Sequence, residues 1–291
     1  MHRRLESFLA AGPLLTDGAW GTQLQQRGLA MGECPDAWNL THPEKVQEVA
    51  AAYVAAGSDI ILTNTFGANR IMLGRHNLAD QVAEINTAGV KISREAAGNH
   101  ARVFASMGPT GVMLMMGDVA PEVVEAAFEE QARAIAAAGA DAIVIETMSD
   151  PEEARLAVKA VRTIGLPVIA CMVFDSGANH DRTLTGATPE QAAKILSIEG
   201  ADCIGANCGQ GIEGFVDICR RMHEATDVPI WIKANAGLPT MVDGSTTYTQ
   251  TPEQFAGHVP ALVAAGASFI GGCCGTTPEY IAAARRKLTR N

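Results

Sequence analysis

DAIVIETMSDPEEARLAVKAVRTIG, residues 141–165, carries two patterns end to end. Residues 141–148 form an unbroken apolar run rich in β-branched side chains, the pattern of a strand buried on both faces rather than the alternation of a half-exposed one. Residues 149–165 open with small polar caps, Ser149 and Asp150, followed by Pro151 and two acids, and close with Lys159, Arg162 and Gly165. That order of charges and breakers suits a helix and its macrodipole. One strand and one helix stand in tandem, and the fold depends on how often the unit recurs.

Seven further runs have the same character: PLLTDG from Pro13, DIILTNTF from Asp59, ARVFASMGP from Ala101, PVIACMVF from Pro167, DCIGANC from Asp202, PIWIKANAG from Pro229 and SFIGGCC from Ser268. Their spacing of roughly 25 to 45 residues leaves room for a helix in every gap. THPEKVQEVAAAYVAAG, with Thr41 as its expected cap, places Val46, Val49, Ala50, Tyr53 and Val54 on one face and stops at Gly57. TTPEYIAAARRKL repeats the plan near the end of the chain. Eight strand-helix units fit a single (β/α)8 TIM barrel. An open doubly wound sheet has the same element count and stays the alternative. No Pro-Gly-Ser linker, low-complexity tract or charge block interrupts the series, so residues 1–291 are expected to form one α/β domain.

Composition narrows the partners. The formal charge is -10 and the isoelectric point about 5.2, which offers phosphates no basic stripe and argues against nucleic acid. No run approaches the ~18 apolar residues of a membrane span, and MHRRLESFLAAGPLL lacks the apolar stretch of a signal peptide. A cytoplasmic protein without membrane contact is expected. Seven cysteines are an odd number with irregular spacing, so thiol or metal chemistry is expected of them rather than a disulfide framework.

In a barrel the working residues sit at the carboxyl ends of strands. Those ends carry Asp17 and Gly18, Asn64 and Thr65, Gly108, Glu146 and Thr147, Asn207 and Cys208, Asn235, and Cys273 with Cys274. Cys208 closes the sixth run and the vicinal pair closes the eighth. Strands two apart lie about 10 Å from each other at the backbone, and inward-bending glycine-rich loops can bring sulfurs to the ~3.8 Å separation of a tetrahedral zinc site. Three protein ligands leave a fourth position open, the mark of a catalytic rather than a structural zinc. A cation held by three thiolates is a poor activator of water and a better host for a further thiol, which it deprotonates. A free thiol near pKa 8.5 is only about 3% ionised at neutral pH, so the gain in nucleophile approaches about thirty-fold. By spacing alone, core filling and a redox dithiol remain open for these cysteines as well. Cys171, Cys203 and Cys219 are assigned to the core, and Cys34 is left without a role.

GANCG followed by GGCCGT resembles the homocysteine S-methyltransferase family, which includes the homocysteine-binding module of cobalamin-dependent methionine synthase and bacterial betaine-homocysteine methyltransferases. DGAWGT, TNTFGAN, GPTG, IETMSD, NAGLP and GGCCGTTPEYI are similar to family blocks and come in family order over nearly the whole chain. The resemblance implies zinc on Cys208, Cys273 and Cys274 and a zinc-bound homocysteine thiolate that attacks a methyl group to give methionine. It also implies that Asp17 and Glu146 hold the homocysteine ammonium, while the backbone at Gly18 and Ala19 receives its carboxylate. Thr65, Asn207 and Asn235 are expected around the same substrate, the two asparagines also as loop-ordering or ligand-supporting groups.

The methyl donor expected is betaine or another onium compound, with a methylated corrinoid on a separate protein, a different thiol acceptor, and a non-catalytic zinc- or thiol-binding protein as alternatives. At 291 residues the chain is expected to lack the folate and cobalamin modules of a full methionine synthase. Trp20, Trp38 and Tyr248 are candidates for cation-π contact with an onium donor, core packing being the competing role. Met113, Met115 and Met116, and the loop DSGANHDRTLTG, have equally open roles: donor contact or apolar cover, lid or solvated connection.

Overall fold

The computed structural model describes residues 2–242 and 245–288. All eight expected runs contain strands: β1 (Leu14–Leu15), β2 (Ile60–Ile61), β3 (Arg102–Met107), β4 (Ala142–Met148), β5 (Val168–Met172), β6 (Cys203–Gly211) and β7 (Ile230–Asn235), with β10 (Ala267–Gly272) as the last. Between the last two lies an antiparallel hairpin, β8 (Pro239–Val242) and β9 (Ser245–Tyr248), of which the apolar periodicity gives no sign. The barrel strands are parallel and run β1, β10, β7, β6, β5, β4, β3, β2 around the sheet. The two short end strands meet where Asp59 N donates to Leu15 O at 2.8 Å, so the sheet curls into a barrel rather than an open doubly wound sheet.

A helix follows every barrel strand, and six of the eight outer ones begin with proline: Pro43–Ala55, Pro121–Ala137, Pro151–Arg162, Pro189–Glu199, Pro252–Gly257 and Pro278–Lys287. Proline is well placed there because the first-turn N–H has no intrahelical partner to lose. Thr41 is not the cap of Pro43–Ala55; it ends the short helix Trp38–Thr41, its hydroxyl donates to Ala37 O, and His42 takes the cap position. Asp150 does cap its helix, accepting from Glu152 N.

The barrel interior is closed at its amino end by Leu5 and Phe8 of the helix Arg3–Leu9. Above them Phe104, Trp231 and Phe269 pack as an aromatic layer with ring centroids 5.1 to 6.4 Å apart. Cys171 and Cys203 fill the same interior, and Cys219 sits fully buried on the helix Ile212–Ala225, as expected of core cysteines. A repeated device ties the amino ends of the strands together. Asp59, Asp141 and Asp202 each stand just before an even-numbered strand and accept from a backbone N–H of the strand before it: Leu15, Val103 and Val168. Each of these aspartates also donates its own N–H back to the same residue, at 2.8 Å. Among the described residues no helix is long and apolar enough to cross a membrane.

Candidate metal and substrate site

The carboxyl ends of β6 and β10 bring three sulfurs together. The ligand atoms of Cys208, Cys273 and Cys274 all lie within 4.8 Å of one another, and Cys208 Sγ and Cys274 Sγ are 3.8 Å apart. That spacing matches two sulfurs sharing a tetrahedral ion at ~2.3 Å each, so the donor set fits zinc in number, type and spacing. Local backbone makes the convergence possible. β6 carries a register irregularity between Asn207 and Gly211, and Cys208 takes φ 61°, a left-handed conformation uncommon outside glycine. On the other side a side chain at Gly271 or Gly272 would put its first carbon 1.9 Å or 2.2 Å from the hydroxyls of Thr16 or Thr276. Only glycine lets β10 approach β1 this closely before the vicinal cysteines turn inward.

Each sulfur has its own polar neighbour. Asn207 Nδ2 donates to Cys273 Sγ at 3.9 Å, while the side chains of Asn235 and of Tyr248, delivered by the hairpin, stand beside Cys208 and Cys274 and help hold their thiols down. Asn207 is itself fixed by Thr147, whose N–H and hydroxyl meet its amide at 2.7 and 2.8 Å. Thr147 pays with φ 62°, an outlier for a β-branched residue. The thiols titrate as a set. Hydrogen bonds from Cys273 and Cys274 push Cys208 well down, and that first thiolate pushes Cys273 and Cys274 up.

The cluster borders a cavity of about 420 Å³. Gly18, Ala19, Glu146 and the three cysteines line it, as do Trp20, Thr147 and Phe66; Asp17, Thr65, Asn207 and Asn235 do not. Thr65 instead ties β2 to β3, donating to Ser106 O at 2.7 Å. Trp38 is core, with the His42 ring tilted against it and Lys45 over its face. Met113, Met115 and Met116 are exposed, and like the loop 175–186 they stay off the cavity wall. Glu146 is 7% exposed and accepts from Ser106 Oγ at 2.5 Å. Burial pushes its carboxyl up, against the opposing pull of Lys233 and Ser106. The Ala19 N–H is taken by Thr276 Oγ1 at 3.2 Å.

Lys233, Asp36 and Thr22 of the site went unread in the sequence, as did Phe66 and Ser106. Lys233 lines the cavity and forms a buried ion pair with Asp17, Nζ to Oδ1 2.5 Å. Burial pulls the lysine down, but the charges of Asp17 and Glu146 outweigh it and leave its pKa raised. Asp36 also faces the cavity, 4% exposed, with Oδ1 accepting from Gly67 N at 3.0 Å. Thr22 Oγ1, buried on the same wall, has no hydrogen-bond partner. A lysine in the middle of an apolar strand run, PIWIKAN, was the one available signal.

Comparison with known proteins agrees with this arrangement. The sequence profile of the homocysteine S-methyltransferase family matches residues 14–288. Methionine synthases of Mycobacterium leprae and Mycobacterium tuberculosis are each 32% identical, over 94% and 95% of this chain. The chain spans only 24% and 25% of their length. Among solved structures, the metallated form of the homocysteine methyltransferase MmuM from Escherichia coli superposes with a TM-score of 0.82 at 23% identity, covering 98% of this chain and 100% of that one. Its oxidised form gives 0.80 at 24% identity over 98% and 99%. With the family profile covering nearly all of its length, the chain belongs to the homocysteine S-methyltransferase family.

Proposed function

We propose that this protein is a zinc-dependent methyltransferase that moves a methyl group from a small onium donor, such as betaine, to the thiol of homocysteine, and that it works as one cytoplasmic domain. The observation that carries this is the opening of a three-cysteine cluster, fit for one zinc, onto the same cavity as a buried carboxylate and two aromatic faces. Zinc on Cys208, Cys273 and Cys274 would supply an open fourth position where an incoming thiol loses its proton. The protein's own side chains do the rest. Asn207 donates to Cys273, Asn235 and Tyr248 stand beside Cys208 and Cys274, and together the three would fix the directions of the sulfurs. Glu146 offers a carboxylate to the acceptor's ammonium, and Gly18 and Thr22 stand by for its carboxylate.

Trp20 and Phe66 supply aromatic faces for a cationic methyl group, with Asp36 as an acidic neighbour. A cavity of about 420 Å³ suits an amino acid and a small donor together. Seven thiols suit a reducing compartment. The test is transfer of a labelled methyl group by the purified zinc-loaded protein to homocysteine, from betaine, other onium compounds and a methylated corrinoid protein in parallel. Label in methionine from an onium compound is the expected result. Label only from the corrinoid protein would replace the donor, label only in other thiols would replace the acceptor, and zinc and homocysteine binding without transfer from any donor would leave a binding protein.

A further inference from the structure

Lys233 is absent from the sequence expectations, yet it lines the cavity beside Glu146 and is only 2% exposed. Its Nζ lies 2.5 Å from Asp17 Oδ1, while Asp17 Oδ2 accepts from Trp20 Nε1 and Leu62 N, both at 2.7 Å. Asp17 is fully buried and forms no part of the cavity wall. Three donors therefore consume its carboxylate. A lysine ammonium already occupies the position beside Asp17 that the family resemblance assigns to the acceptor. Glu146 is situated differently. It faces the cavity, only its Oε1 takes a hydrogen bond, from Ser106, and it forms no salt bridge among the described residues.

We propose that Lys233 is the positioning residue of acceptor binding: it takes Asp17 for itself, so the acceptor's ammonium is held by Glu146 alone. This rests on homocysteine being the acceptor. The charges support it. Asp17, Lys233 and Glu146 sum to a single negative charge, which one ammonium neutralises. Without the lysine the floor carries two anions, and the deeper Asp17 competes for the ammonium. An acceptor drawn toward Asp17 still binds, but its thiol no longer reaches the cysteine cluster in line with the donor.

Steady-state kinetics with homocysteine on K233M and on the double variant D17N/K233M, each checked for fold by circular dichroism and for zinc content, test the proposal. K233M is expected to lower kcat at least about tenfold without raising KM, the split that marks misplacement rather than lost affinity. The double variant returns the floor to one negative charge and should recover both constants to within about threefold of the native protein. A K233M defect that raises KM in step with the fall in kcat overturns the proposal, as does a folded, zinc-replete double variant with a larger loss, since that is the result expected if Asp17 itself holds the ammonium. Should K233M fail to fold, the double variant, which buries no lone charge, decides alone by the same threshold. Absence of homocysteine turnover by the native protein is a separate result, and it removes the acceptor assignment together with the inference.

Discussion

Cys208, Cys273 and Cys274 differ from the other four cysteines in backbone and neighbours rather than in chemistry. Their place at strand ends was legible because a cysteine that closes an apolar run must point out of the barrel top. The left-handed turn at Cys208 was not, because spacing carries no information on φ. Cys273→Ala should abolish zinc binding and methyl transfer while far-ultraviolet dichroism stays native, since the cluster tops the barrel. Unfolding of that variant would show the metal to be structural. Cys219, pushed up to about 12 by burial, should tolerate alanine at a cost of ~1 kcal/mol with zinc content unchanged. The ionisation of Asp36 is coupled to stability. Burial pushes its carboxyl up to about 7, against the Gly67 N–H that bonds it. In the unfolded chain it titrates near ~3.9, so the folded state holds the extra proton between these values. Its contribution is full below about 4 and is lost as pH rises through 7. The native thermal midpoint should therefore fall relative to Asp36→Asn as pH rises from about 4 to 7, and parallel melting curves for the two proteins across that window would contradict the assignment.

Among the elements, the hairpin of β8 and β9 was the least legible. Each arm is four residues long, too short for periodicity to register. The dipeptide Asp243-Gly244 between the arms was an available turn signal. The hairpin matters because it carries Tyr248 to Cys274 and packs that ring against Gly275, where a side-chain carbon would come within 2.3 Å of it. Hydrogen bonds to metal-ligating sulfurs orient them and withdraw charge, so their loss is felt in affinity more than in fold. Tyr248→Phe keeps the ring and removes only the hydroxyl. It should weaken zinc binding by about tenfold in a chelator competition and leave the melting temperature of the metal-free protein unchanged. An unchanged zinc affinity would mean that Asn207 and Asn235 suffice to set the sulfurs.

At the scale of the whole molecule, eight repeats were countable, but closure was not, because the strands that meet to close the barrel are only two residues each. Asp17 and Asp59 complete that seam with side chains, accepting from Leu62 N and Leu15 N where a longer ladder would use backbone. The barrel thus divides by height, with the aromatic layer of Phe104, Trp231 and Phe269 deep in the barrel and the cysteines at the carboxyl end. Removing Phe104, which is fully buried with Phe8, Trp231 and Phe269 around it, tests whether stability and chemistry divide the same way. Phe104→Ala deletes a large ring from a site walled by strands, which cannot collapse to refill it, so the cost should be about 3–5 kcal/mol. In a chain of this size that lowers the melting temperature by roughly 10 °C. Below the new transition, zinc stoichiometry and turnover per folded molecule should match the native protein, the mirror image of Cys273→Ala. A variant that lost zinc in proportion to stability would instead show that the aromatic layer sets the cysteine geometry through the strands.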